Sequence, residues 1–326
     1  MKMRTNIKRI FAAIAAMLFL TAPGSSGAQT NKLSGDLIIF HAGSLSVPMK
    51  EVANAFMKAN PGVKVLLEAA GSVASARKIT DLNRPCDIMA SADYAVIDNM
   101  LIPNYADFNI KFVSNEMCIV YSDKSRHAAE INVKNWYEVL LRQDVAFGRA
   151  DPNADPCGYR TLMTIQLAET YYKRAGLVKA LSGKDQQYIR PKEVDLLALL
   201  ESGSIDYIFL YKSVAMQHGL KYLVLPDQIN LKNPAFAERY ASARVEINGK
   251  EPGQKETMKG EPMIYGVTLI KNAPNREAAM AFLEFLLSKD QGMKIMEKNG
   301  QPSVIPMTTK NYDLVPASLK KFVTKP

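Results

Sequence analysis

Leu37-Ile38-Ile39-Phe40-His41-Ala42-Gly43-Ser44 opens with four bulky apolar residues in a row and closes on a Gly-Ser corner. An unbroken apolar run of that length reads as a strand buried on both faces, as in a sheet covered by helices on each side. Beyond the turn, Met49, Val52, Ala53 and Phe56 recur at i, i+3, i+4 and i+7, and Asn60-Pro61-Gly62 stops the helix they predict. Val63 to Leu67 is the next apolar strand. Strand, helix and strand in succession predict an α/β chain with a largely parallel sheet.

The same alternation continues outward. Gly71-Ser72 opens a helix through about Asn83, Asp87 to Ala90 returns as a strand, and Asp93 caps a further helix, which completes a doubly wound half. Phe112 to Tyr121 reads as one long strand whose polar interruption, Ser114-Asn115-Glu116, suits a crossing into a second lobe. There the spacing predicts helix Val133 to Leu141, strand Val145 to Phe147 and helix Tyr159 to Arg174, with Leu162, Ile165, Ala168 and Tyr172 as one stripe. A polar linker from Ser182 to Gln187 follows, then helix Glu193 to Glu201 after Pro191, and strand Ile205 to Tyr211. Lys250 to Glu261, rich in Lys, Glu and Gly, reads as an exposed loop. Ile264 to Ile270 predicts a strand that carries the chain back, Asn275 to Leu287 an amphipathic helix, and Asn299-Gly300 the end of the last helix.

The first residues carry Lys2, Arg4, Lys8 and Arg9, then the apolar run Ile10 to Leu20 and the small residues Ser26-Gly27-Ala28. This is the order of a secretory signal peptide, with cleavage expected near Ala28 and a periplasmic product. The run is too short for a spanning helix, which needs about 20 residues. Of the formal charge of +9, four units sit on those basic residues, leaving +5 on the remaining 298 of the 326 residues. That length suits two lobes. Lys and Arg are scattered without a basic helix, which disfavours nucleic acid. Cys86, Cys118 and Cys157 form at most one disulfide, or serve as three buried apolar side chains; without CxxC spacing they do not suggest zinc.

Two strand ends share one chemistry. Gly43-Ser44 and Gly71-Ser72 each place a close-approaching backbone, free helical N–H groups and a hydroxyl at the start of a helix. Either serine alone is most simply a helix cap. Two such corners at successive strand ends of one sheet favour an anion site over two separate caps, because ligands of open α/β sheets gather there. The glycine spacing and lysine of a nucleotide P-loop are absent. In the second lobe Asp155, before Pro156-Cys157-Gly158, and Glu193, after Arg190-Pro191-Lys192, are either first-turn helix partners or a facing carboxylate pair. Tyr211 ends its strand as a core aromatic or as a donor into a cleft. His41, His127 and His218 have no nucleophile motif nearby, so no catalytic set emerges and the chain is not expected to be an enzyme.

Taken in order, His41-Ala42-Gly43-Ser44-Leu45, Gly71-Ser72 with Ala76-Arg77, Asp87-Ile88-Met89-Ala90-Ser91-Ala92-Asp93, Asp155-Pro156-Cys157-Gly158-Tyr159-Arg160, Arg190-Pro191-Lys192-Glu193 and Tyr211-Lys212-Ser213 resemble the molybdate/tungstate-binding proteins of ABC importers, especially the tungstate-binding branch. The resemblance covers nearly all of the chain after the leader. It implies the α/β, two-lobe type II periplasmic-binding-protein fold with two interdomain crossings. Lobe I would be residues 29–115 and 265–326 and lobe II residues 116–264, behind a signal peptide at 1–28, with hinges near Asn115 and Tyr265. It also implies that Ser44 and Ser72 hold ligand oxygens, that the Cys157 amide and Tyr211 donate from the other lobe, and that Asp155 and Glu193 reach the metal centre of the bound oxyanion. A membrane permease of an ABC importer is the implied partner, the protein a monomer, and no cofactor is expected besides the molybdate or tungstate cargo.

Two carboxylates facing a dianion in a partly dry cleft repel it, which argues against sulfate and phosphate. Molybdenum(VI) and tungsten(VI) accept two further oxygen ligands, which turns that repulsion into bonding. The alternatives are a protein of the same fold for sulfate, phosphate or ferric ion, and a hydrolase using Asp155 and Glu193.

Overall fold

A computed structural model describes residues 32–249 and 253–326, so the segment read as a signal peptide lies outside the described residues. In chain order the principal strands are β1 (Gly35–Ala42), β2 (Val63–Ala70), β3 (Ile88–Ser91), β4 (Ile110–Ser114), β5 (Met117–Tyr121), β6 (Phe147–Ala150), β7 (Ile189–Arg190), β8 (Tyr207–Tyr211), β9 (Lys221–Val224), β10 (Arg244–Asn248), β11 (Lys255–Lys259) and β12 (Ile264–Leu269). They form two five-stranded sheets, ordered β2-β1-β3-β12-β4 and β7-β6-β8-β5-β9.

The opening apolar run behaves as its composition dictates. β1 lies between β2 and β3 and pairs with both in parallel, and Leu37, Ile39 and Phe40 are wholly buried. Helix α1 (Ser46–Ala59) follows, and its Phe56 meets Phe282 and Phe285 edge-on at 5.1 and 5.7 Å. Those two rings belong to the helix Arg276–Leu287, which the returning chain lays over the first sheet. The buried Asp87 ties the two segments together, its carboxylate accepting from the Ile38 amide at 2.7 Å and from the Asn275 amide at 2.6 Å. The second sheet has its own aromatic core, where Phe209 packs against Trp136 and Phe147, each at 5.8 Å.

Each sheet contains one strand that breaks the parallel pattern. β12 runs antiparallel to β3 and β4, and β5 runs antiparallel to β8 and β9. These are the strands by which the chain arrives from the other sheet. A chain that leaves one sheet at the carboxyl ends of its parallel strands enters the next from the same junction, and so runs against the strands that point into it.

Three sequence expectations need correction. Phe112 to Tyr121 is not one strand: β4 ends at Ser114 in one sheet and β5 begins at Met117 in the other, with Asn115 and Glu116 as the crossing. The stretch read as an exposed loop from Lys250 to Glu261 contains β11, which pairs antiparallel with β10. Its charged residues conceal the alternation, for Val245, Ile247 and Met258 are the buried positions of that hairpin. The helix expected over Val133 to Leu141 is the short segment Trp136–Leu140, and the next strand sits two residues later than expected, at Phe147–Ala150. The chain refers that strand to Asp206 and Asp185, whose carboxylates accept from the Ala146 and Phe147 amides.

Cys86, Cys118 and Cys157 are free and buried, the second of the two readings. Burial pushes the Cys86 thiol up to about 12, which leaves it an unreactive apolar side chain. Among the described residues no helix is long and apolar enough to cross a membrane.

Candidate functional site

The carboxyl ends of the parallel strands in both sheets meet at one junction. From the first sheet come Gly43-Ser44 after β1, Gly71-Ser72 after β2 and Ala92-Asp93 after β3. From the second come the Asp151–Asp155 turn after β6, the Lys192-Glu193 turn after β7 and Tyr211 at the end of β8. All six residues singled out in the sequence are here and shielded from solvent: Ser44, Ser72, Cys157 and Tyr211 are 0% exposed, and Asp155 and Glu193 1%.

The approach of the two halves is tight at two glycines, against side chain at Gly43 and against backbone at Gly71. A Cβ on Gly43 would lie 2.7 Å from Glu193 Oε2, and one on Gly71 would lie 2.3 Å from the Ala154 carbonyl oxygen. Neither backbone has an unusual φ, so it is space and not chain conformation that excludes a side chain at these positions. Helix α2 (Ser72–Thr80) takes a hydrogen bond across the junction, its Ala74 amide donating to Ala154 O at 3.1 Å.

Asp155 serves two purposes. One carboxylate oxygen accepts from the Cys157 amide at 2.8 Å, which makes Asp155 the N-cap of helix Pro156–Tyr172, and the other accepts from the Glu193 amide at 3.1 Å. The cap reading is therefore correct for Asp155, and the same bonds bring Glu193 beside it. Glu193 does lie in a first helical turn, as that reading expected, but its side chain makes no cap hydrogen bond there. Both of its carboxyl oxygens are buried without a hydrogen bond of ordinary geometry. Burial first, and then the adjacent Asp155 charge, hold the Glu193 carboxyl well above the usual carboxylate range, although the Ser44 amide pulls weakly the other way.

The hydroxyls are held from behind. The Ala92 amide donates to Ser72 Oγ at 2.9 Å, Arg160 Nη1 donates to Tyr211 Oη at 3.1 Å, and Ser44 Oγ lies 2.9 Å from Tyr265 Oη. His41, next to the Gly43 corner, bonds the Ala42 carbonyl at 2.8 Å, and burial lowers its pKa to about 4, so it stays neutral.

Sequence reasoning missed a second cluster that clasps the two halves together. Asp93 caps its own helix through one oxygen, to the Ala95 amide at 3.0 Å, as expected. Its other oxygen takes the Tyr159 hydroxyl at 2.6 Å and Arg160 Nη2 at 3.1 Å. Arg160 also donates to the Ala92 carbonyl at 2.6 Å. Burial is the largest single influence and opposes the Arg160 charge, but Asp93 together with Tyr211, Tyr159 and Tyr265 outweighs it and raises the guanidinium pKa well above its ordinary value. Tyr159 and Arg160 follow the Asp155 cap within one helical turn, yet a basic and an aromatic residue near a helix start carry no sequence mark of a partner 66 or 68 residues away. Asn115 and Tyr265, placed only as hinge positions by the sequence, meet each other here, Asn115 Nδ2 donating to Tyr265 Oη at 2.9 Å. No cluster of three or more His, Cys, Asp or Glu side chains suited to a resident metal occurs among the described residues.

The chain is similar to known proteins over most of its length. An uncharacterized solute-binding protein of Petrotoga mobilis is 50% identical over 292 residues, covering 89% of this chain and 91% of that one. The molybdate/tungstate-binding protein WtpA of Pyrococcus abyssi is 41% identical over 348 residues, covering 98% and 99%. The periplasmic molybdate-binding protein of Azotobacter vinelandii superposes with a TM-score of 0.60 at 16% identity, over 83% of this chain and 99% of that one, and so shares the two-lobe fold. The bacterial extracellular solute-binding protein family matches residues 37–301, and with the junction of the two lobes forming a buried polar site, the chain belongs to that family.

Proposed function

We propose that the chain captures tungstate or molybdate between its two lobes and delivers the oxyanion to the membrane permease of an ABC importer. The observation that carries this reading is the Glu193 carboxyl, buried at the lobe junction against Asp155 and the Ser44 amide with neither oxygen in a hydrogen bond of ordinary geometry. A buried polar group without a partner costs about 1–3 kcal/mol, and a charged one more, so such a group is kept where something supplies its partner. An ionised Glu193 repels a sulfate or phosphate oxygen, and neither ion can take the carboxylate as a ligand in return. A six-coordinate molybdenum or tungsten centre instead takes a carboxylate oxygen as a ligand, and it arrives with the cargo, so no resident cofactor is invoked. Ser44, Ser72, Tyr211 and the neighbouring amides then supply donors to the oxide ligands. The 41% identity to a protein named as molybdate/tungstate-binding supports the same choice.

The lobes are taken as residues 29–115 with 265–326 and residues 116–264, hinged at Asn115 and Tyr265. The leader at 1–28, cleaved near Ala28, directs the protein to the periplasm as a monomer. Calorimetric titration with tungstate, molybdate, sulfate and phosphate tests the ligand. Micromolar or tighter binding of the first two alone is expected, and comparable sulfate affinity would defeat the carboxylate argument.

The close approach at Gly71 gives a further expected result. In Gly71→Ala the new methyl meets Ala154 O, and relieving that contact costs about 1–3 kcal/mol in the closed form. Tungstate affinity should fall about 5- to 150-fold while the melting temperature of the ligand-free protein stays near that of the parent. An unchanged dissociation constant would mean that ligand binding does not need this approach of the lobes.

A further inference from the structure

The proton arrangement behind Ser44 goes beyond the ligand contacts. Asn115 Oδ1 receives the Glu116 amide at 3.0 Å and the Ser213 amide at 3.4 Å, which fixes the oxygen end of that side chain. Its Nδ2 must then donate, and it does so to Ser213 Oγ at 2.7 Å and to Tyr265 Oη at 2.9 Å. Tyr265 is wholly buried, and its remaining hydrogen-bond partner is Ser44 Oγ. Two hydroxyls, Tyr265 and Ser44, thus share one contact, and each brings a proton. If Ser44 donates to Tyr265, the Tyr265 proton has no acceptor. If Tyr265 donates to Ser44, the unplaced proton is that of Ser44, at the carboxyl end of β1 where the lobes meet. An acceptor arriving in the cleft resolves the surplus only in the second arrangement.

We propose that Tyr265, oriented by Asn115, is a positioning residue that makes the Ser44 hydroxyl an obligate donor toward the bound oxyanion. The inference rests on the oxyanion reading above. It also places ligand contact on a hydrogen-bonded chain through both crossings, for Asn115 lies between β4 and β5, Tyr265 lies on β12, and Ser213 belongs to the second lobe. The other two cleft hydroxyls follow the same rule without a relay. Ser72 accepts from the Ala92 amide and Tyr211 from Arg160, so each has its own proton left to give.

A double-mutant cycle on the purified protein tests the proposal, because a merely structural role for Tyr265 would not be coupled to Ser44. Tungstate is titrated into the parent, Ser44→Ala, Tyr265→Phe and the double variant. Tyr265→Phe should raise the dissociation constant about 3-fold, since it removes the neutral bond that fixes the Ser44 proton toward the cleft, and Ser44→Ala about 10-fold or more, in keeping with the loss of one charge-assisted hydrogen bond. The double variant should be no weaker than Ser44→Ala alone. Losses that multiply in the double variant, or an unchanged constant in Tyr265→Phe, would overturn the relay. Asn115→Asp gives an independent check, since an acceptor at that position draws the Tyr265 proton away and forces Ser44 to donate inward. Its loss of affinity should largely disappear in the Ser44→Ala background, whereas a loss of equal size in both backgrounds is simple charge repulsion and rejects the relay. Failure of the parent to bind tungstate or molybdate would reject the ligand reading itself, a result distinct from a parent that binds but shows no coupling.

Discussion

Asp93→Ala is expected to weaken tungstate binding by about 100-fold or more while leaving each lobe folded. In the closed protein Asp93 and Arg160 are 6% and 3% exposed, from opposite lobes, and their 3.1 Å pair is the ionic contact across the junction that Tyr159 and the Ala92 carbonyl complete. Removing one partner of a buried pair typically costs about 3–5 kcal/mol, because the other charge stays dry and uncompensated. At 1.36 kcal/mol per factor of ten, that corresponds to about 150- to 5,000-fold. The cost falls on the closed form, since hinge opening returns Arg160 to water, and it therefore appears in affinity more than in the melting temperature of the free protein. The loss of Asp93 also frees the guanidinium that holds Tyr211 Oη. A charge-free pair, Asp93→Leu with Arg160→Met, should recover much of the affinity, as buried ion pairs are commonly replaceable by apolar groups of similar volume. An equal fall in melting temperature with no change in affinity would show that the pair stabilises the fold and not closure.

What could be read from the sequence divides along a physical line. The strand-helix alternation and four of the junction residues, Ser44, Ser72, Asp155 and Glu193, were legible from local information: apolar periodicity, a Gly-Ser corner, or an acidic residue in a first helical turn; the Cys157 amide and the role of Tyr211 came only with the family resemblance. The hairpin of Arg244–Asn248 and Lys255–Lys259 was not, since only Val245, Ile247 and Met258 turn inward and the intervening charges resemble a loop. The division of Phe112 to Tyr121 between two sheets was anticipated only as a polar interruption, because strand register depends on partners elsewhere in the chain. The same limit hid the second polar shell. Asp93 was recognisable as a cap and is one, but its second oxygen binds groups more than sixty residues away. Asn115 and Tyr265 are 150 positions apart, and nothing in either neighbourhood predicts that they touch. Glu193 lies between these cases. Its place at a helix start suggested a cap, whereas its actual distinction, two buried oxygens without partners, depends on Asp155 and Gly43 closing around it.

Glu193→Gln is expected to act on closure of the empty protein and on tungstate binding in opposite directions. Burial and the Asp155 charge raise the Glu193 pKa in the ligand-free closed form, so this form holds the Glu193 proton more firmly than the unfolded chain does. A raised pKa stabilises below the unfolded value, and the contribution is lost as pH rises from the ordinary glutamate range toward the folded value. Closure of the ligand-free parent should therefore become less favourable as pH rises across that interval. Glu193→Gln, which cannot ionise, should flatten this dependence, as measured by small-angle X-ray scattering at a series of pH values. Binding follows the reverse logic. A carboxylate must be deprotonated to coordinate a metal centre, so capture of tungstate should release a proton and strengthen as pH rises through the same interval. Titration in buffers of different ionisation enthalpy measures that proton directly. Loss of even an outer-shell partner at a metal site costs about 10- to 100-fold in affinity, so removing a direct ligand in Glu193→Gln should exceed about 100-fold and abolish the proton release. A variant that binds tungstate as tightly as the parent, with the same proton release, would place Glu193 outside the coordination sphere and leave its unsatisfied carboxyl without a ligand-based reason.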